Sequence, residues 1–318
     1  MISRETIKEF FNYLKLNKFR QFNYFAVFFL FCLLPSQSYN PDLSIIPKQP
    51  IIRFLDFDLP EVSQYPLNFT GRGTPQLTAF SSLAIDLPSK TIIYAKNPDY
   101  QLLPASTTKI MTALVSLDYY SLSEVIKVER VNGIGQTMEL EKDEEISIEN
   151  LLYGLLVQSG NDAAYALAES YPGGVQKFVS SMNVKARSLH LDNTHFVNPA
   201  GIDAAGQFST VHDLAVLTAE ALKNPTIHKI VSIEEIEVAD TSGEIIHELV
   251  NINQLLGKVA GLKGVKTGWT ESAGECLVAY TEREGRAIIT VVLASEDRFG
   301  ETEKLIEWVY NNFQWESL

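Results

Sequence analysis

The sequence is poor in the residues that bind metals and form disulfides. Its 318 residues include two cysteines and five histidines. Cys32 lies in an apolar run and Cys276 in a predicted strand, so we expect no disulfide between them and a buried thiol at Cys276. His190 and His195 are five residues apart, and no Cys or His pair has the spacing of a metal site. We therefore expect neither a metal ion nor another cofactor.

Basic residues are also scarce. Lys and Arg number 26 against 39 Asp and Glu, which gives a net charge of −13. Proteins that bind nucleic acid need a basic surface, so this balance excludes nucleic acid as a partner. The exception is the N-terminal segment, residues 1–21, where five basic residues stand against two glutamates.

Long apolar runs are missing too. The run that follows the basic segment covers residues 22–34, thirteen residues, whereas a membrane span needs about twenty. A basic stretch before a short apolar run is typical of a secretory signal. The sequence leaves open whether the segment is cleaved near Ser36–Ser38 or kept as a signal anchor that attaches the chain to a membrane. In both cases we expect an exported protein.

The rest of the chain divides into a tether and one domain. Residues 35–75 contain seven prolines and predict an extended tether with a strand near Ile51–Phe57. Residues 76–318 predict two strands, a block of helices, further strands and a closing helix, an order typical of an α+β domain. The predicted strands are 78–86, 91–96, 234–240, 276–282 and 287–294. The predicted helices are 105–117, 147–157, 162–171, 175–189, 210–223 and 302–313.

Ser106 and Lys109 form the first chemical motif, three residues apart at the start of a predicted helix that follows Pro104. Residues i and i+3 share one face of a helix, so Lys109 can reach the Ser106 hydroxyl. A serine hydroxyl is a weak nucleophile until a neighbouring base takes its proton. A Ser-x-x-Lys pattern arises by chance about once in a chain of this length, so further motifs are needed before it indicates an active site.

Two further motifs follow in the sequence. Ser159-Gly160-Asn161 lies at a turn between two predicted apolar helices, and Lys266-Thr267-Gly268 precedes Trp269. Burial of Lys109 and the charge of a nearby Lys266 would lower the pKa of Lys109, as a base requires. A small residue such as Gly268 lets a substrate approach its strand closely.

The three motifs in this order resemble those of the penicillin-recognising serine enzymes. The resemblance is closest to the D-alanyl-D-alanine carboxypeptidases, the low-molecular-weight penicillin-binding proteins, and covers about residues 77–318. The segments that carry it are 104–113, 158–164, 195–201 and 208–214. It implies the serine β-lactamase/penicillin-binding-protein fold, which is transpeptidase-like: an antiparallel sheet flanked by helices, with a helical subdomain.

The resemblance also implies roles for the site residues. Ser106 would be the nucleophile, Lys109 the base and Ser159 a proton relay to the leaving amine. The substrate-binding residues would be Asn161, Lys266, Thr267, Gly268, Trp269 and Arg298. Of these, Lys266 and Thr267 would bind the terminal carboxylate, with Arg298 as a second cation for it, and the backbone N–H groups of Ser106 and Trp269 would form the oxyanion hole.

The implied activity is removal of the terminal D-alanine from peptidoglycan stem peptides through an acyl-enzyme on Ser106, with β-lactams as covalent inhibitors. This places the protein in the periplasm or at the extracytoplasmic face of the bacterial inner membrane. Because the sequence ends at Leu318, without the C-terminal membrane-binding helix usual in the family, any membrane attachment is expected through the N-terminal segment. The sequence does not indicate the third residue of the stem peptide or the oligomeric state.

Two alternatives remain open at this level. A D,D-endopeptidase that cleaves peptidoglycan cross-links would use the same residues. A slow β-lactam-sensing or wall-binding protein would need only some of these site residues. Efficient β-lactam hydrolysis is not expected, because Glu220 and Asn224, which have the spacing of a β-lactamase water-binding pair, lie at the end of a predicted helix.

Overall fold

The structure is a computed structural model that describes residues 64–131 and 134–316, together with Lys8. The chain separates into two units, 1–57 and 58–318. The basic segment apart from Lys8, the apolar run 22–34 and the predicted strand 51–57 lie outside the described residues. Among the described residues, no helix is both long and apolar enough to cross a membrane.

The described residues form eleven strands and seven α-helices. The strands are β1 (Tyr65–Asn68), β2 (Ser81–Asp86), β3 (Ile92–Lys96), β4 (Val125–Lys127), β5 (Glu145–Ser147), β6 (Glu235–Ala239), β7 (Ile246–Val250), β8 (Leu262–Thr270), β9 (Gly274–Arg283), β10 (Arg286–Ser295) and β11 (Phe313–Glu316). The helices are α1 (Lys109–Tyr119), α2 (Ile148–Leu156), α3 (Asn161–Glu169), α4 (Gly174–Ser188), α5 (Val211–Ala221), α6 (Pro225–Val231) and α7 (Arg298–Asn312).

The central sheet is antiparallel and has five strands in the order β3-β2-β10-β9-β8. Strands β9 and β10 are its longest, and both are largely buried because helices cover the two faces of the sheet. The two residues that join them, Glu284 and Gly285, both have positive φ, which matches the right-handed twist of a tight hairpin. Strand β8 is an edge strand, so one side of its backbone is open to the site.

The helices divide between the two faces of the sheet. Helix α7 packs on one face and buries Leu305 and Val309 with Ala84 and Ile288. Helix α5 covers the other face and joins the main core, which continues into the helical part formed by α1 to α4. The predicted α+β class, with an antiparallel sheet flanked by helices and a helical part, is therefore confirmed.

Strand β1 brings the two ends of the described domain together. It pairs antiparallel with β11, with Pro66 opposite Trp315. The Trp315 indole is buried and donates a hydrogen bond of 2.6 Å to the Asp86 carboxylate. Residues 65–68 fall in the segment 35–75 that the proline pattern predicts as a tether, so the last part of that segment is a strand of the domain.

The element that carries Ser106 differs from its sequence prediction. A single helix is predicted from Ala105, but residues 105–108 form a 3₁₀ turn and α1 begins at Lys109. Ala105 has φ of +46°, a left-handed conformation that costs about 1 kcal/mol or more for a residue other than glycine. The hydroxyl of Thr107 donates a hydrogen bond of 2.6 Å to the Pro104 carbonyl and stabilises the turn.

Candidate active site

Lys109 is the centre of the site. Its ammonium nitrogen lies 2.8 Å from Ser106 Oγ, 2.7 Å from Asn161 Oδ1 and 2.8 Å from the carbonyl oxygen of Ala200. The side chain is completely buried. This environment holds the pKa of Lys109 well below its usual value, first because of burial and then because of the charge of Lys266; Asp162 opposes the shift.

The geometry suits a neutral Lys109. A neutral amine has two N–H donors and one lone pair, whereas an ammonium has three donors. The Asn161 and Ala200 oxygens can only accept, so they take the two N–H groups. The Ser106 hydroxyl can then donate to the lone pair, which is the direction in which a proton must move if Ser106 is to become a nucleophile.

A loop that follows α4 supplies the Ala200 carbonyl. The Asn198 side-chain oxygen accepts hydrogen bonds from the backbone N–H groups of Ala200, Gly201 and Ile202. The Asn198 amide nitrogen donates to the Ile202 carbonyl at 2.7 Å. Asn198 thus orders the loop. The Ala200 carbonyl itself was not predicted, because a backbone oxygen leaves no signal in the residue types.

The second motif lies at the turn between α2 and α3. Ser159 is buried and has φ of +63°, and it lines the cavity that contains Ser106. Asn161 begins α3, and its amide nitrogen donates a hydrogen bond of 2.7 Å to the Ile134 carbonyl. The Asn161 side chain therefore joins Lys109 to the wall formed by residues 134–136. The Asp162 carboxylate, in the first turn of α3, accepts hydrogen bonds from the backbone N–H groups of Met138 and Ala163, while Gly160 occupies the N-cap position.

The third motif lies on the edge strand β8. Gly268 passes so close to the 3₁₀ turn that a Cβ atom there would lie 2.9 Å from the Ser106 backbone nitrogen. Lys266 is 2% exposed and donates a hydrogen bond of 3.1 Å to the Thr267 carbonyl. Burial, and then the charge of Arg298, lower the pKa of Lys266 to about 7.

Arg298 and Trp269 lie around the same opening. The Arg298 guanidinium donates a hydrogen bond of 2.8 Å to the Gly268 carbonyl and lines the cavity. Its Nε is buried and has no hydrogen-bond partner among the described residues. The Trp269 side chain is 61% exposed at the rim. The structure thus places all nine predicted site residues in or directly beside one cavity.

That cavity has a volume of about 540 Å³. Its lining includes Ser106, Ser159 and Asn161, together with apolar residues far apart in sequence such as Ile134, Ile202 and Ile252. The sequence analysis did not identify the wall 134–136, because it belongs to an irregular segment without a recognisable motif. Within the part of the chain that the structure describes, no three His, Cys, Asp or Glu side chains are grouped as a metal site.

The remaining candidates from the sequence lie outside the cavity. Glu220 is paired with Lys223 at 2.7 Å on α5, and Asn224 caps α6. His195 Nδ1 lies 2.8 Å from the Gly206 carbonyl oxygen, a contact within the loop that follows α4. Cys276 is a free, buried thiol, and burial raises its pKa to about 12, so it is not a reactive nucleophile.

Solved structures of known proteins share this fold. The Streptomyces K15 DD-transpeptidase superposes with a TM-score of 0.71 at 31% sequence identity, over 76% of this chain and 100% of that protein. The transpeptidase-like penicillin-binding-protein fold expected from the motifs is therefore confirmed.

Sequence comparison points to the same group. D-alanyl-D-alanine carboxypeptidase DacF of Bacillus subtilis is 32% identical over 77% of this chain and 66% of its own length. D-alanyl-D-alanine carboxypeptidase DacD of Escherichia coli is 35% identical over 75% of this chain and 65% of its own length. The match thus spans just under two thirds of these two carboxypeptidases. The D-alanyl-D-alanine endopeptidase of Escherichia coli is 32% identical over 76% of this chain and 80% of its own length.

The family itself is shown by a match over most of the domain. The sequence model of the D-alanyl-D-alanine carboxypeptidase family aligns with residues 68–297, a range that contains the three motifs. The chain belongs to the D-alanyl-D-alanine carboxypeptidase family of peptidases.

Proposed function

We propose that this protein is a serine-type D-alanyl-D-alanine carboxypeptidase that removes the terminal D-alanine from peptidoglycan stem peptides. The observation that carries the proposal is the contact set of Lys109. A buried amine of lowered pKa lies 2.8 Å from the Ser106 hydroxyl, with its other two contacts made to oxygens that only accept. This arrangement activates a serine without a histidine.

The chemistry would proceed in two steps. Ser106 Oγ attacks the carbonyl carbon of the penultimate D-alanine as its proton moves to Lys109 Nζ. The C–N bond then breaks, a proton reaches the leaving amine with Ser159 as relay, and D-alanine departs from an ester on Ser106. In the second step water attacks the ester, its proton returns to the serine oxygen through Lys109, and the shortened peptide is released.

The oxyanion would be held by the backbone N–H groups of Ser106 and Trp269. The close approach of Gly268 to the Ser106 nitrogen supports this assignment, because it brings the strand and the turn to the same point. Backbone donors fixed in this way favour the charge that develops in the transition state and need no reorganisation.

Two cations would select a substrate with a free terminal carboxylate. Lys266 and Arg298 lie beside the same opening, and each is held by a backbone carbonyl of β8. Arg298 keeps a fork of N–H groups that matches a carboxylate. Thr267, between Lys266 and Gly268 on β8, would contact the same carboxylate, and the Asn161 amide would hold a backbone carbonyl of the peptide.

A D,D-endopeptidase is the second candidate, because a relative that carries this name is 32% identical over 76% of the chain. β-Lactams would acylate Ser106 in both cases. We further propose that the protein acts outside the cytoplasm, on the outer face of the inner membrane or in the periplasm. The basic and apolar pattern of residues 1–34 supports export, and an uncleaved segment would attach the chain to the membrane.

The test is a mass-spectrometric assay of the full chain with a peptide that ends in Lys-D-Ala-D-Ala, with Ser106→Ala as the control. Loss of one alanine that disappears in the variant would support the carboxypeptidase. Cleavage of a cross-linked dimer of stems, without loss of alanine from the linear peptide, would favour the endopeptidase. Penicillin labelling of Ser106 without turnover of either substrate would indicate a slow β-lactam sensor, and absence of labelling would refute the proposal.

A further inference from the structure

Asp162 is a buried carboxylate in the first turn of helix α3 and is 2% exposed. Its Oδ1 accepts hydrogen bonds from the backbone N–H groups of Met138 at 3.0 Å and Ala163 at 2.9 Å. Its Oδ2 accepts from the backbone N–H groups of Met138 and Leu140, both at 3.1 Å. An ionised carboxylate can only accept, and hydrogen bonds to a charged acceptor are stronger than those between neutral groups. Asp162 therefore attaches the chain around Met138 to the start of α3.

Asn161, the residue before it, binds the same stretch of chain with donors instead of acceptors. Its backbone N–H donates to the Gln136 carbonyl at 2.7 Å, and its side-chain amide donates to the Ile134 carbonyl at 2.7 Å. Two consecutive residues of α3 thus hold four alternate residues of one segment, 134–140, which we call the wall segment. The fit is close at Gly135, where a Cβ atom would lie 2.9 Å from Asn161 Nδ2.

The wall segment also belongs to the active site. Its first three residues, 134–136, line the cavity that contains Ser106. The Asn161 side chain that binds this segment through its nitrogen contacts Lys109 at 2.7 Å through its oxygen. Lys109 in turn lies 2.8 Å from Ser106 Oγ. The position of the Asn161 amide, and with it the direction of the Lys109 amine, therefore depends on how the wall segment lies against α3.

We propose that Asp162 is a positioning residue for acylation. By accepting the Met138 and Leu140 N–H groups, it fixes the wall segment on α3. The fixed segment keeps the Asn161 amide against Lys109, so Asp162 acts through Asn161 and not on the substrate. The consequence for the rate rests on the proposed function, because it assumes that Lys109 is the base. A shift of about 1 Å in such a constellation can cost a factor of about one hundred.

The test compares variants of the full chain. Asp162→Ala removes both acceptor oxygens, whereas Asp162→Asn keeps one of them. Gly135→Ala leaves the carboxylate in place but pushes the wall segment away from the Asn161 amide.

Asp213→Asn is the matched control. Asp213 lies in the first turn of α5, is 3% exposed, and attaches a loop to its helix in the same way. It accepts from the Asn193 backbone N–H at 3.0 Å and from the Thr194 hydroxyl at 2.7 Å. Neither of these two residues lines the cavity.

Two measurements are made on each variant: hydrogen exchange of the Met138 and Leu140 amides, and stopped-flow acylation by a fluorescent penicillin at several concentrations. The second separates the acylation rate constant from the dissociation constant of the complex that precedes it. In Asp162→Ala we expect both amides to exchange at least about tenfold faster. We expect the acylation rate constant to fall about thirtyfold, and the dissociation constant to change by less than about threefold.

The other variants should rank around this result. We expect Asp162→Asn to regain an acylation rate constant within about tenfold of the wild type, since one acceptor remains. Gly135→Ala should also lower the rate constant, because it moves the Asn161 amide. Asp213→Asn should match the wild type in both measurements.

Unchanged exchange of the two amides in Asp162→Ala would overturn the proposal, as would an effect confined to the dissociation constant. An equal loss of rate in Asp213→Asn would overturn it too, because the cause would then be general destabilisation. If Asp162→Ala does not fold, the same exchange measurement on Asp162→Asn decides. A wild-type chain that takes up no penicillin would refute the proposed function, whereas amide exchange still decides whether Asp162 holds the wall segment.

Discussion

At the scale of single residues, Lys266 provides a pH signature of carboxylate binding. Its pKa of about 7 means that the ammonium is present below this pH and is lost above it. For a peptide with a free terminal carboxylate, we expect KM to increase as the pH rises above about 7, by up to about tenfold per unit. Steady-state kinetics between pH 6 and 9 would measure this. The same peptide with an amidated C-terminus is the control, and an equal increase of KM for both would contradict the assignment.

Lys109 provides a second prediction at this scale. We expect Lys109→Arg to slow penicillin acylation of Ser106 by at least about a hundredfold, because a guanidinium stays protonated and cannot accept the serine proton. Lys263→Arg is a matched control on strand β8, where the side chain is paired with Glu282 near the surface. Stopped-flow measurement of acylation would compare the two variants. A Lys109→Arg rate within tenfold of the wild type would exclude Lys109 as the base.

At the scale of elements, Gly201 determines how the loop 198–202 packs against the 3₁₀ turn. It has φ of +85°, and a Cβ atom there would lie 1.9 Å from the Ala105 carbonyl oxygen. That oxygen belongs to the backbone just before Ser106 and cannot move without moving the nucleophile. Gly206, in the same loop region, has φ of +86° but no atom within 4 Å of such a Cβ.

Substitutions at Gly201 and Gly206 distinguish the cost of a positive φ from the cost of a steric clash. We expect Gly206→Ala to lower the free energy of unfolding by about 1 kcal/mol through its positive φ alone, and to leave acylation unchanged. Gly201→Ala should cost more stability and slow acylation by about a hundredfold, since it displaces Ser106. Urea unfolding and penicillin labelling measure the two effects. If the two variants lose equal stability and acylate at equal rates, the close approach of Gly201 to the Ala105 carbonyl does not position Ser106.

The elements also show what a sequence can and cannot predict. Lys109 could be assigned because residues three apart on a helix meet, and the contact persists although residues 105–108 form a 3₁₀ turn. Strand β7, which pairs with β6, was not predicted because its five residues include His247 and Glu248 and give only a weak alternation of apolar and polar residues. Strands β4 and β5 were not predicted because they have only three residues each. The Ala200 carbonyl and the wall 134–136 enter the site through tertiary packing, which leaves no local signal.

At the scale of the whole molecule, Glu301 joins three parts of the domain. It lies near the start of α7 and is 7% exposed. Its carboxylate accepts hydrogen bonds from the Thr78 and Ala79 backbone N–H groups, just before β2, and from the Ser295 hydroxyl at the end of β10, with Ala79 at 2.9 Å and Ser295 at 2.5 Å. Burial alone would raise the pKa of Glu301, but these hydrogen bonds outweigh it and the pKa is lowered.

A lowered carboxylate pKa makes the stability of the domain sensitive to acid. As the pH falls, Glu301 is protonated first in the unfolded state, because its pKa there is the ordinary value of 4.5. Its contribution to the free energy of unfolding is therefore complete above this pH. The contribution is lost as the pH falls through the lower pKa of the folded state. We expect Glu301→Gln to lower the free energy of unfolding by about 2 kcal/mol at pH 7 and by much less at pH 3.5. Glu303→Gln, exposed on the same helix, should have little effect at either pH. Urea unfolding at both pH values tests this, and a loss for Glu301→Gln that does not change with pH would show that the carboxylate charge does not join these elements.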